Sequence, residues 1–240
     1  MLDLRNNIEI VRENIAKAAQ YSGRKPEDIT LVAVTKTIDI GTMHQAISLG
    51  IKNIGENKVQ EILNKYDNID EDNIKWHLIG HLQTNKVKYI IDKVDLIHSV
   101  DSFKLAEEIN KRALKINRKI DILIQVNVSE EKSKFGVEIK NCEKLLLEIS
   151  QLSNVKIKGL MTIAPNTSIC ENARPFFRNL KHLSIDIMKK NYDNISMKYL
   201  SMGMTGDYIA AIEEGANLVR IGTAIFGHRP NNQFDRGGLS

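Results

Sequence analysis

Leu4, Ile8, Val11, Ile15 and Ala18 recur at alternating steps of four and three, so the first twenty residues predict an amphipathic helix. Residues 21–28, with Gly23 and Pro26, close it. The run 29–34 is rich in β-branched residues and alternates little, which suits a strand buried on both faces of a parallel sheet. Beyond it the chain alternates short apolar runs, at 51–54, 76–79, 96–100, 120–128, 155–161, 199–202 and 218–221, with longer amphipathic stretches. Those stretches, at 43–49, 58–66, 86–91, 103–115, 142–152, 175–190 and 207–214, predict helices. Counting the run at 29–34, about eight βα units follow one another, the number that closes a barrel. The expected fold is α/β: one (β/α)8 TIM-type barrel domain over residues 1–240 with an additional N-terminal helix. An open, doubly wound sheet is the architectural alternative.

Composition narrows the class without changing this picture. A hydrophobic fraction of 42% and a charged fraction of 27% are ordinary for a globular chain, which sets aside disordered and fibrous classes. The net charge of +4 comes from 34 basic and 30 acidic residues spread along the sequence, with no polybasic block, so no nucleic-acid partner is expected. Cys142 and Cys170 lie far apart with no metal-ligand spacing, and are expected to be reduced thiols of a cytoplasmic protein, packed in or beside helices. Asp3, Arg5, Glu9, Arg12, Glu13 and Lys17 interrupt the N-terminal segment, a pattern that neither a signal peptide nor a membrane span tolerates. No repeat, low-complexity stretch or linker marks a boundary. The tail from Pro230, with Asn231, Asn232, Arg236, Gly237 and Gly238, is expected to be mobile.

In a barrel the chemistry sits where strands end, so the residues just after each apolar run matter most. Lys36 directly follows Leu31-Val32-Ala33-Val34-Thr35. Apolar walls there would partly desolvate it, which favours the neutral amine that condenses with an aldehyde; a solvated loop lysine is the bland alternative. Near the other end, Ser201-Met202-Gly203-Met204-Thr205-Gly206-Asp207 and Arg220-Ile221-Gly222-Thr223 each follow an apolar run. Glycines permit close approach, and backbone amides with hydroxyls make an anion nest, which points to a phosphorylated ligand. Tight turns alone would also account for these glycines. Asn57, in Gly55-Glu56-Asn57, and His81 stand at the ends of the next strands and suit either the barrel mouth or helix capping. His77, inside its apolar run, suits a hydrogen-bonded core histidine. The four-residue interval between His77 and His81 would not keep both on one face of a strand and loop, so no metal is assigned. Lys132 and Lys134 suit a solvated charged loop.

Taken together, these segments resemble the pyridoxal phosphate homeostasis family, also called the YggS or PROSC family. Its members look like the barrel domain of bacterial alanine racemase without the second β domain, a type III fold among enzymes that use pyridoxal 5′-phosphate (PLP). The resemblance spans about Val32 to Gly227. It rests on Ala33-Val34-Thr35-Lys36-Thr37, Gly55-Glu56-Asn57 with Val59-Gln60-Glu61, residues 76–86, Gln125-Val126-Asn127 with Lys134 and Gly136, Gly159-Leu160-Met161, Ser201-Met202-Gly203-Met204 with Asp207, and Arg220-Ile221-Gly222 with Phe226-Gly227. It implies that Lys36 carries PLP as a Schiff base. By the same resemblance Ser201, Gly203, Gly222 and Thr223 hold the phosphate, Arg220 faces the pyridine nitrogen and Asn57 lies beside the cofactor.

A guanidinium facing the ring nitrogen neither accepts a proton nor gives one up, so it favours the unprotonated ring and mutes carbanion chemistry. The acid/base group that the racemase draws from its second domain is not expected here. The expected function is storage, buffering or delivery of PLP by a monomer, with apo-PLP enzymes as recipients and without robust turnover. A PLP-dependent racemase or lyase acting on a small amino acid, and a Schiff-base aldolase acting on a sugar phosphate, are the rival readings.

Overall fold

The computed structural model describes residues 3–71, 73–131, 134–165 and 170–227. Lys132 and the tail from Pro230 lie outside the described residues. Eight strands form the frame: β1 (Thr30–Val34), β2 (Asn53–Glu56), β3 (Lys75–Leu78), β4 (Leu96–Val100), β5 (Ile120–Asn127), β6 (Val155–Met161), β7 (Ile195–Ser201) and β8 (Leu218–Ile221). Each pairs in parallel with its neighbours, β1 also pairs with β8, and β4 with β5 closes the ring. That closure rules out the open doubly wound sheet. The helices are α1 (Leu4–Tyr21), α2 (Ile40–Ser48), α3 (Val59–Lys65), α4 (Phe103–Lys115), α5 (Ile139–Ser150), α6 (Arg174–Lys189), α7 (Tyr208–Glu213) and α8 (Thr223–Phe226). None is long and apolar enough to cross a membrane.

Alternation along the strands sorts side chains into two layers. Val32, Leu96, Leu123, Met161 and Leu218 meet inside the barrel, whereas Ala33, Ile54, Ile97, Ile122, Leu160 and Ile221 join the larger core between barrel and helices. On β1 the inward positions are therefore Val32 and Val34, and the next residue in that series is Lys36. The register pairs Val32 with Arg220 and Val34 with Gly55, so both partners share the inward face.

α1 has a specific job in this frame. α7 and α8 span only 6 and 4 residues, too little to cover the outer faces of β8 and β1. Leu4, Ile8, Val11, Ile15, Ala18 and Ala19 of α1 are buried over that gap, and each large aliphatic side chain so buried stabilises by about 1.5–3 kcal/mol. Asn7 Nδ2 donates to the Ile225 carbonyl at 3.0 Å and Asn14 Nδ2 to Tyr208 Oη at 3.1 Å, which fixes the register of the helix.

Three sequence expectations shift. The strand expected at 51–54 is Asn53–Glu56, because pairing with β1 and β3 carries Gly55 and Glu56 into the ladder despite their weak strand preference. The helix expected at 86–91 is a 3-10 segment, Thr84–Tyr89; it is too short to propagate an α-helix and is held by burial of Val87. β7 begins four residues before the expected run at 199–202, since its first five positions alternate between partly buried and exposed and carry no continuous apolar signal.

Candidate functional site

The main chain turns sharply after β1. Ile38 N–H donates to the Thr35 carbonyl at 2.9 Å, so Lys36 sits at the second position of a four-residue turn. Lys36 is half-buried and lines a cavity of about 130 Å³ together with Val34, Thr37, Arg220, Gly222 and Thr223. Residues at opposite ends of the sequence thus meet at one mouth because β1 and β8 are neighbours in the ring. A Cβ on Gly222 would lie 3.3 Å from both Cβ and the carbonyl oxygen of Val34, so the small residue keeps this seam closed. Gly203 lies one loop away, and its carbonyl accepts from Arg220 N–H at 3.0 Å. Thr205 Oγ1 accepts from Ala224 N–H at 3.3 Å, tying the two glycine-bearing loops together.

Beneath the cavity the barrel interior is polar. Arg220 donates through Nη1 to Ser201 Oγ and through Nη2 to the Thr162 carbonyl, the latter at 2.8 Å. Ser201 Oγ lies 2.9 Å from His98 Nδ1, His98 Nε2 lies 2.9 Å from His77 Nδ1, and His77 Nε2 lies 3.2 Å from Asn53 Oδ1. Arg220, Ser201, His98 and His77 are all buried. Because Asn53 Oδ1 only accepts and each neutral imidazole has one donor and one acceptor nitrogen, the direction of the whole chain follows. Ser201 Oγ accepts from Arg220 and passes its own proton to His98 Nδ1, so His98 and then His77 carry their protons on Nε2, and Asn53 Oδ1 is the final acceptor.

Both imidazoles must be neutral for this chain to hold. Burial pushes His77 down to about 3, with Lys75 adding to the effect, and burial holds His98 well below the usual histidine value, aided by His77 and Arg220. Burial also pushes Arg220 down to about 10, with Asp207 acting the other way, so it stays charged at neutral pH. Two of its five N–H groups are engaged in these bonds, and among the described residues no carboxylate is in ion-pair contact with it. A buried, unneutralised cation bordering a cavity fits a ligand that brings acceptors or negative charge.

A pH dependence follows from the two histidines. In the unfolded chain each takes up a proton near pH ~6.5, whereas folded they stay neutral to far lower pH. The unfolded state therefore binds more protons as pH falls, so this stability is fully present above that value and is lost below it. His77 is expected to cost about 1.4 kcal/mol per pH unit between pH ~6 and ~4, and His98 adds a loss of the same sign. Urea midpoints measured at stepped pH check this; a midpoint unchanged across that range would contradict it.

The alanine racemase N-terminal domain model matches residues 7–230 of this chain. A pyridoxal phosphate homeostasis protein of Aquifex aeolicus is 47% identical over 219 residues, covering 91% of this chain and 95% of that protein. The chain belongs to the pyridoxal phosphate homeostasis family. PipY of Synechococcus elongatus PCC7942, solved with PLP bound, superimposes with a TM-score of 0.78 at 32% identity, over 89% of this chain and 100% of that one. Alanine racemase of Clostridium difficile 630 shares the fold at 16% identity and a TM-score of 0.75, and its match covers 96% of this chain but 58% of the racemase.

Within this homeostasis-family barrel, the residues expected from the sequence fall into three groups. Lys36, Arg220, Gly222 and Thr223 line one cavity. Ser201 lies behind Arg220, fully buried, with its hydroxyl accepting from Arg220 and donating to His98. Asn57 lines a different cleft, of about 510 Å³, with His81, Lys58 and Lys86, which shares no lining residue with the Lys36 cavity. His81 is exposed and stacks on Phe135 with ring centroids 4.1 Å apart. Cys142 is a buried free thiol that burial pushes up to about 12, which leaves it inert. Sequence reasoning missed His98 and Thr162. The only signal for His98 was a histidine, followed by Ser99, within a short run otherwise made of Leu, Ile and Val.

Proposed function

We propose that this chain holds PLP as a Schiff base on Lys36 and serves PLP homeostasis by storing, buffering or delivering the cofactor, without robust turnover of its own. The observation that carries this reading is that Lys36, Arg220, Gly222 and Thr223 line one cavity. When bound, PLP supplies an aldehyde that condenses with an amine and a ring that draws electron density from the attached carbon. Lys36 offers the amine from a half-buried position at the mouth. Gly222 and Thr223 hold the phosphate through backbone amides and a hydroxyl, and Gly203 allows the opposite loop to approach it. Ser201 fixes Arg220 from behind. Arg220 donates toward the ring nitrogen, and because it cannot accept a proton it keeps the ring neutral and its carbanion chemistry weak. Asn57, at the end of the neighbouring strand β2, lies beside the cofactor in this reading.

The unpaired charge of buried Arg220 supports an acceptor-bearing ligand, and the naming of the Aquifex relative and the PLP in PipY support which one. In this reading the chain is one domain over residues 1–240, acts as a cytoplasmic monomer, and passes PLP to apo-enzymes. The test is the visible absorbance of a lysine Schiff base after incubation with PLP. The wild-type chain is expected to show the band and Lys36→Ala to lose it while keeping its melting temperature. An absent band in the wild type, or an undiminished one in Lys36→Ala, overturns the proposal.

A further inference from the structure

The turn that carries Lys36 is built in a way that its residue types alone do not favour. Its third position, Thr37, has φ of 65°. Turns of this kind place glycine or asparagine there, and a β-branched residue on the left-handed side is an outlier that persists only when its surroundings over-determine it. Thr37 nevertheless lines the same cavity as Lys36.

The over-determination comes from α3. Thr37 N–H donates to Glu61 Oε1 at 2.9 Å. One helical turn further on the same face, Lys65 Nζ donates at 2.8 Å to the Thr35 carbonyl, the same oxygen that closes the turn. Lys65 Nζ also lies 2.8 Å from Glu56 Oε1, which accepts from Thr35 Oγ1 at 2.6 Å. Glu56 is 0% and Lys65 8% exposed, and among the described residues the second carboxylate oxygen of Glu56 is buried without a partner. A buried ion pair with an orphaned oxygen is a poor way to stabilise a helix against a strand, where apolar side chains of the same volume serve as well. It is a good way to fix one backbone geometry. None of these three side chains lines the cavity, so whatever they do to Lys36 passes through the main chain.

We infer that Glu61 and Lys65 are positioning residues for Lys36, holding the strained turn from behind so that the amine meets the cofactor aldehyde in a fixed orientation. This rests on the reading of Lys36 as the PLP lysine. The experiment compares wild type, Glu61→Ala, Glu61→Gln and Thr37→Gly/Glu61→Ala by stopped-flow absorbance after mixing apo-protein with PLP. Glu61→Ala frees the Thr37 N–H, and the rate of band formation is expected to fall about tenfold or more, the size of one lost hydrogen bond to a charged acceptor. Glu61→Gln keeps an acceptor oxygen and is expected to stay within about threefold of wild type. Thr37→Gly/Glu61→Ala is expected to recover most of the lost rate, because glycine adopts positive φ without support. An unchanged rate in Glu61→Ala, or Glu61→Gln as slow as Glu61→Ala, overturns the inference. Should Glu61→Ala not fold, Glu61→Gln and Thr37→Gly/Glu61→Ala still decide it, since a tenfold loss in both contradicts it. Absence of any band in the wild type removes the cofactor reading instead, so the two failures are distinguishable.

Discussion

His98→Leu is expected to destabilise the barrel by about 2–6 kcal/mol, because it orphans two buried groups at about 1–3 kcal/mol each. The hydroxyl proton of Ser201 loses its acceptor, and Nδ1 of His77 loses its donor. Leucine roughly conserves the volume, so the cost comes from unmet hydrogen bonds and little from a cavity. His77→Leu alone is expected to cost less, since the Asn53 end of the chain is only partly buried and water can satisfy it. The double variant leaves inside only the hydroxyl proton of Ser201 without an acceptor, so its cost should fall well below the sum of the two single costs. Urea unfolding of the four proteins checks this; strictly additive changes would mean that the two imidazoles do not form one chain.

Gly203→Ala is expected to be comparably severe and to strike the cofactor loop. Gly203 has φ of +94°, and a Cβ there would lie 2.6 Å from Cβ of Ala211 and 2.9 Å from Cα of Tyr208. Neither neighbour is a flexible tip, so the loop or α7 must move. Strain at positive φ and overpacking together suggest about 2–6 kcal/mol. The Gly203 carbonyl also receives Arg220 N–H, so the displacement reaches the guanidinium. A lowered melting temperature with much weaker PLP retention is the expected result. A variant as stable and retentive as wild type would show that the loop has room that this geometry denies.

Several parts of this arrangement were legible in the sequence for a physical reason. Strands buried on both faces of a parallel barrel need continuous apolar runs, and β4, β6 and β8 match their runs residue for residue. Lys36 stood out as a candidate because it directly follows the apolar run that forms β1. β2 was harder to place, since Gly55 and Glu56 are strand residues only by virtue of their neighbours. The chain behind Arg220 was not legible: His98 and Ser201 are 103 residues apart and meet only because the barrel closes. Ser201 shows the same limit. Its position in the chain suggests a phosphate contact, and nothing local announces its hydrogen bonds to Arg220 and His98. The clamp on the Lys36 turn depends on a positive φ at a threonine, which no residue pattern announces.

The central claim is covalent attachment at one amine. Incubating the full chain with PLP, reducing with borohydride and mapping the phosphopyridoxyl group by peptide mass spectrometry tests it directly. A single modified position, Lys36, at close to one group per chain is the expected result. Modification located on another lysine, or scattered over exposed lysines with Lys36 unmodified, would contradict it.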